Sequence, residues 1–312
     1  MSLVIPFVSK TTKAEADQWL AALSKAVPEV KFIPFKALDS PLGHKIAVVA
    51  NPNPSDISAL VDLVWVQSLW AGVEKLVTEP ALAKIGISRL VDPQLAQTMA
   101  EAVLAWTLYL HRDMPHYKAM QNQRIWQELP YVAATERRVG IMGLGKLGEA
   151  AATALTQNGF NVMGWSRSKK SIADVRCFYD DSGLTAMVQQ SDILVCLLPL
   201  TPVTTRLIDA KLIGQLPDGA ALINFGRGPI LDTVALVAAL NSGALKHCVL
   251  DVFDEEPLQP DSPLWTHPGI TILPHISAPT TIATAVEIAA TNLRAYLKDG
   301  TLPGLVDRHR GY

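Results

Sequence analysis

At 312 residues, 49% hydrophobic and 18% charged, the chain is too long for one typical hydrophobic core, so two domains are expected. A formal net charge of -2 gives no electrostatic footprint for nucleic acid or a membrane surface, and no apolar run approaches a membrane span. The N-terminal run over 1–8 is too short and uncharged for a secretory signal, and Cys177, Cys196 and Cys248 lack C-x-x-C spacing. Free thiols in a reducing compartment fit best, and a cytoplasmic location is expected.

Strand-like and helix-like segments alternate along most of the chain, the pattern of parallel α/β architecture. In the first part, strands are expected at 3–8, 30–33, 46–50, 63–67 and 84–87, with an amphipathic helix over 13–27. Asp92, as N-cap, and Pro93, in the first turn, open a long helix to about His111. Residues 112–130 read as an irregular connecting arm or as surface packing on another subunit, with His111 and His116 on that surface. A second α/β unit opens at Arg138, with strands at 139–142, 161–165, 193–198, 220–224, 248–251 and 271–273. The last helix, from Thr281 to about Leu297, follows that unit and is expected to return to the first domain. The resulting division is a discontinuous substrate domain, 1–103 with 280–312, and a dinucleotide-binding domain, 104–279.

The most informative stretch runs from Arg138 to Gly148. An apolar strand enters a complete G-x-G-x-x-G turn, and a helix-forming run follows at once. Gly143 permits the tight turn, Gly145 lets the backbone approach a pyrophosphate, and Gly148 lets the helix pack closely on the sheet. The helix start, at Lys146 and Leu147, offers amides and partial positive charge to the phosphates.

An NAD-preferring unit places a carboxylate about 20 residues past the first glycine, where it holds the ribose hydroxyls. Here no Asp or Glu occurs between Glu149 and Asp174, and the second strand runs out through Ser166-Arg167-Ser168-Lys169. Arg167, with Ser166, Ser168 or Lys169 adding donors, suits a 2′-phosphate instead. NADP is therefore the expected cofactor, with NADPH preferred over NADH.

Three polar residues follow strands of this unit, where open parallel sheets bind their ligands: Arg227, Glu256 and His275. The set suits hydride transfer at a 2-keto acid. A histidine is the natural proton donor near neutrality, a neighbouring carboxylate favours its charged form, and an arginine can fork onto the substrate carboxylate and carbonyl. In the other domain, a strand end turns into a helix through Trp70, Ala71 and Gly72, whose amides could hold the substrate carboxylate. Trp70 either shapes the pocket wall or is simply core. No metal motif is visible.

Taken together, the Gly143–Gly148 turn, Leu198-Pro199-Leu-Thr201-Pro202, Asn224-Phe-Gly-Arg227-Gly228, Asp251-Val-Phe-Asp-Glu-Glu256-Pro257 and Pro274-His275-Ile-Ser-Ala278 resemble the D-isomer-specific 2-hydroxyacid dehydrogenase family over essentially the whole chain. The resemblance implies Arg227 as substrate-binding and polarising residue, His275 as acid/base and Glu256 as its partner. It also implies that Leu198, Pro199, Thr201, Pro202 and Asp251 face the cofactor, Asp251 at the nicotinamide carboxamide, and that the Ala71 and Gly72 amides take the substrate carboxylate. The implied fold is two Rossmann-like domains, one flavodoxin-like and one dinucleotide-binding, with parallel sheets and an interdomain cleft. The implied assembly is a homodimer through the cofactor domain. The expected activity is NADPH-dependent reduction of glyoxylate to glycolate and hydroxypyruvate to D-glycerate. The alternatives are a reductase of another small 2-keto acid such as pyruvate, or a non-catalytic dinucleotide-sensing co-regulator.

Overall fold

The computed structural model describes residues 3–308, 310 and 311; the first two residues of the N-terminal run lie outside the described residues, as do 309 and 312 at the end of the expected substrate domain. The chain forms two compact units, Met1–Asp92 with Thr280–Tyr312, and Pro93–Pro279. The first boundary falls at the start of the long helix Pro93–His111 rather than inside it at 103/104. Its apolar stripe, including Val103 and Leu110, shares one core with Ile141, Ala152 and Leu155 of the second unit, so the whole helix belongs there.

In the first unit, strands β1 (Leu3–Ser9), β2 (Val30–Pro34), β3 (Ile46–Ala50), β4 (Trp65–Ser68) and β5 (Gly86–Ser88) form a parallel sheet in the order β2-β1-β3-β4-β5. This is the flavodoxin-like order. Every residue of β3 is buried, as expected of a parallel strand covered on both faces. One face carries the helices Lys13–Ala26 and Ile282–Asp299, whose Trp19, Leu23, Ala289 and Leu293 share a core with Ile5, Phe7 and Val48. The C-terminal helix is tied in by Thr284 Oγ1 donating to Asp92 Oδ2 at 2.6 Å and Asn292 Nδ2 donating to Gln67 Oε1 at 2.9 Å.

The second unit is a seven-stranded parallel sheet. Its strands are β6 (Arg138–Met142), β7 (Asn161–Ser166), β8 (Arg176–Tyr179), β9 (Ile193–Cys196), β10 (Ala220–Asn224), β11 (Leu245–Leu250) and β12 (Ile270–Ile272). The order β8-β7-β6-β9-β10-β11-β12 is that of a dinucleotide-binding sheet, with the reversal between β6 and β9. Strand β8 was not expected from sequence. It is a four-residue edge strand with no fully buried position, too short for its apolar residues to announce it.

Two expectations around the arm are corrected. Residues Met114–Gln123 form a helix, entered through Asp113 in the left-handed region at φ 53°. None of its residues is buried, so no apolar periodicity announces it. His111 is not surface: it is 6% exposed and edge-on to the Phe160 ring at 5.1 Å. His116 is exposed. The arm beyond displays Ile125, Trp126 and Tyr131 to solvent.

The cysteines are free, and burial pushes the Cys196 thiol up to about 12. Among the described residues, no helix is long and apolar enough to cross a membrane, and no cluster of His, Cys, Asp and Glu could hold a metal ion.

Candidate active site

The glycine turn leaves β6 at the point where the strand order reverses. Gly143 takes φ 106°, a conformation that side chains resist, and its amide donates to Trp165 O at 2.8 Å. A Cβ at Gly148 would lie 1.8 Å from Gly143 O, so the helix Lys146–Gln157 can approach the turn only with glycine there. At Gly145 a Cβ would meet nothing within 4 Å. Gly145 is also the N-cap and supplies no side-chain cap to the first-turn amides near Lys146 and Leu147. This open, amide-lined turn fits the pyrophosphate of a dinucleotide.

The flanks of the turn are equally ordered. Ser166 ends β7, is buried, and donates through Oγ to Ser168 O at 2.8 Å, which closes the loop bearing the exposed Arg167 and Lys169. On the other side, the segment after β9 abuts the glycine turn, with Leu197 N donating to Met142 O at 2.9 Å. Its Leu198–Thr204 stretch is knitted locally: Thr201 N donates to Thr204 Oγ1 at 2.8 Å, and that hydroxyl donates to Pro199 O at 2.7 Å. Pro202 is exposed at the tip.

Arg227, Glu256 and His275 come from the loops after β10, β11 and β12 and meet at one end of the sheet. Fully buried Asn224 shapes the first loop: its Oδ1 accepts from Gly226 N at 3.2 Å and its Nδ2 donates to Arg227 O at 3.2 Å. Arg227 Nη1 donates to Gly226 O at 2.8 Å. A Cβ at Gly228 would lie 1.9 Å from the Phe253 carbonyl carbon, so this loop and the one bearing Glu256 are in backbone contact. Glu256 Oε1 accepts from Phe253 N at 2.9 Å, and its Oε2 pairs with His275 Nδ1 at 2.7 Å.

His275 has φ 56°, the left-handed region that a non-glycine residue enters only when held. The hold is Asp251, which is 2% exposed at the end of β11 and accepts from Ile276 N at 2.7 Å and Ser277 N at 2.9 Å, one bond per carboxylate oxygen. Asp251, expected at the nicotinamide, thus also anchors the histidine loop.

The Glu256 hydrogen bond and charge raise the His275 pKa above its ordinary value, aided by Asp251 and opposed by partial burial and Arg227. For Glu256, partial burial pushes the carboxyl up. The bonds from His275 and the Phe253 amide, with the charges of His275 and Arg227, outweigh it and hold the carboxyl below its ordinary value. The Arg227 charge acts on both groups, so the three form one electrostatic unit. With Nδ1 bonded to Glu256, Nε2 is the atom through which His275 can pass a proton.

In the first unit, Trp70, Ala71 and Gly72 form the half-buried loop after β4. Trp70 is edge-on to Trp19, with ring centroids 5.7 Å apart. Its backbone is fixed by Ser68 Oγ, which accepts from Trp70 N at 3.0 Å, and by Leu90 N, which donates to Trp70 O at 3.0 Å. The expected helix after Gly72 is a single turn, Glu74–Val77, so Ala71 and Gly72 present loop amides rather than the end of a helix with a useful dipole.

Sequence reasoning gave no role of their own to Asn224, or to Arg206 and Asp254, whose side chains meet at 2.6 Å. Asn224 had a usable signal, a polar residue closing an otherwise apolar strand. The Arg206–Asp254 pair spans 48 residues and had none.

Residues 104–277 match the family described as D-isomer specific 2-hydroxyacid dehydrogenase, NAD binding domain. The chain belongs to that family. It is an oxidoreductase of 2-hydroxy acids whose second unit is the family's NAD-binding domain. It is 38% identical over 301 residues, 94% of this chain and 96% of the relative, to glyoxylate/hydroxypyruvate reductase A of Salmonella paratyphi B (strain ATCC BAA-1250 / SPB7). A D-isomer specific 2-hydroxyacid dehydrogenase from Xanthobacter autotrophicus Py2, solved with NADPH and MES, superposes with a TM-score of 0.93 at 36% identity, covering 100% of both chains. An NADPH-dependent glyoxylate/hydroxypyruvate reductase from Sinorhizobium meliloti, solved with NADP and sulfate, gives 0.89 at 34% identity, covering 99% of this chain and 100% of that one. The family's two parallel-sheet α/β domains are those described above.

Proposed function

We propose that this chain is an NADPH-dependent reductase of small 2-keto acids, taking glyoxylate to glycolate and hydroxypyruvate to D-glycerate. The observation that carries the reading is the His275 Nδ1–Glu256 Oε2 pair at 2.7 Å within the field of Arg227. Relatives that bear this activity in their names support the choice of substrate.

NADPH, when bound, supplies the hydride for the carbonyl carbon. The chain supplies the rest. His275, kept protonated by Glu256, donates a proton through Nε2 to the carbonyl oxygen. Arg227 binds the substrate carboxylate and stabilises negative charge developing on that oxygen. We also assign carboxylate binding to the amides of Ala71 and Gly72, and selection against larger acids to Trp70.

The glycine turn with Lys146 and Leu147 holds the pyrophosphate, and Ser166, Arg167, Ser168 and Lys169 hold the 2′-phosphate. Leu198, Pro199, Thr201 and Pro202 line the cofactor on the far side of the turn, and Asp251 meets its nicotinamide end. The enzyme works in the cytoplasm as a homodimer through the cofactor domain. Trp126, 100% exposed on the arm, supports that assembly, because an apolar ring so displayed is a ready subunit contact.

Steady-state rates on a panel of 2-keto acids, each with NADPH and with NADH, test the reading. Glyoxylate and hydroxypyruvate with NADPH should lead. Pyruvate far ahead of both would overturn the substrate assignment, and no NADPH consumption with any acid would leave only a cofactor-sensing role.

A further inference from the structure

We propose that Arg206 is a positioning residue for the reaction, clasping the loops after β9, β10 and β11 so that Glu256 is held against His275. The proposal rests on the reading of the site given above.

Arg206 lies just past the Leu198–Thr204 stretch and takes φ 54°, a left-handed backbone in a non-glycine residue. Three bonds hold it there. Its amide donates to Pro229 O at 2.8 Å, its Nη1 to Leu231 O at 2.5 Å, and its Nη2 to Asp254 Oδ2 at 2.6 Å. The first two acceptors follow Arg227, and the third precedes Glu256 by two residues. One side chain therefore joins the cofactor-side loop after β9, the Arg227 loop and the Glu256 loop.

The neighbouring backbone shows that the first two loops are already stitched: Ile208 N donates to Ile230 O at 3.0 Å, and Asp232 N to Ile208 O at 2.9 Å. What the side chain adds is a charged bond to the third loop, which otherwise meets the Arg227 loop by backbone contact at Gly228 and Phe253. Asp254 adjoins Phe253, whose amide donates to Glu256 Oε1 at 2.9 Å. Fixing Asp254 thus fixes the amide that aims Glu256, and Glu256 aims His275. The charged groups acting on His275 are Glu256, Arg227 and Asp251, and of these Glu256 lies two residues from the Asp254 that the clasp holds.

The arginine and aspartate side chains are 47% and 43% exposed, so their replacement leaves the core untouched. An exposed ion pair is worth little to stability. Its effect here is on loop placement, which a pH titration reads directly.

The test is the NMR titration of the His275 imidazole in the cofactor-free protein, assigned by its loss in His275→Gln, together with steady-state kinetics. Arg206→Met and Asp254→Asn should each lower the His275 pKa and cut kcat by about 3–10-fold, with KM for NADPH within about twofold. The double variant should be no worse than either single one, and Arg206→Lys should recover part of kcat. An unchanged His275 titration and kcat in both Arg206→Met and Asp254→Asn overturns the proposal. Glu256→Gln separates the two levels. If it lowers the titration while the clasp variants do not, the clasp alone is wrong; if it too leaves His275 unmoved, the reading of the catalytic pair falls, and the clasp with it.

Discussion

Glu256 faces His275 with one carboxylate oxygen and the Phe253 amide with the other, at 2.7 Å and 2.9 Å, so it can rotate toward neither without losing a bond. Asp251 fixes the opposite flank by holding the two amides after His275. The imidazole is therefore gripped from its ring and from its backbone, in the arrangement a general acid requires.

Replacing His275 by Ala should lower kcat for keto-acid reduction by about 10²–10⁴-fold with a small change in substrate KM. An unchanged kcat removes the imidazole from proton transfer.

The same pair sets a pH dependence. His275 has a raised pKa because Glu256 favours its charged form, so reduction should persist to higher pH than an isolated imidazole allows. The stability it contributes is present below the ordinary histidine pKa and is lost as pH rises through the raised folded value. Glu256→Gln should move the alkaline limb of the kcat profile to lower pH; a limb that stays in place assigns that titration to another group.

Two glycines of one turn should fail differently. Gly148→Ala puts a methyl 1.8 Å from Gly143 O and should lower the melting temperature of the cofactor-free protein. Gly145→Ala meets nothing within 4 Å and should leave that temperature unchanged while weakening NADPH binding. Thermal melts and fluorescence titration with NADPH check both, and equal loss of stability in the two would contradict this division.

Arg167→Ala should raise KM for NADPH far more than KM for NADH, since only the former carries the 2′-phosphate. Equal effects on the two would transfer that phosphate to other residues.

Buried His247, bonded to Thr271 Oγ1 at 2.8 Å, has its pKa lowered to about 4, chiefly by burial, with His116, Lys246 and His267 adding repulsion. A depressed folded pKa gives stability that is present above pH about 6.5 and lost as pH falls toward about 4, to roughly 3 kcal/mol in all. His247→Gln should flatten urea-denaturation stability across that window. A slope equal to that of the parent protein would place the acid sensitivity elsewhere.

The amino-acid sequence alone determined the alternation of strands and helices, the glycine turn after β6 and the three strand-end residues Arg227, Glu256 and His275. Each is a local pattern: apolar period, glycine spacing, or a polar residue closing an apolar run. It did not reveal strand β8, which is only four residues long, or the arm helix Met114–Gln123, which buries no apolar face from which an element is read. Only the tertiary structure decided that His111 is buried, that Asp251 holds the amides beyond His275, and that Arg206 reaches Asp254. Those are contacts between residues far apart along the chain, and parallel strand pairing, which has no signature in any short window, is what brings them together.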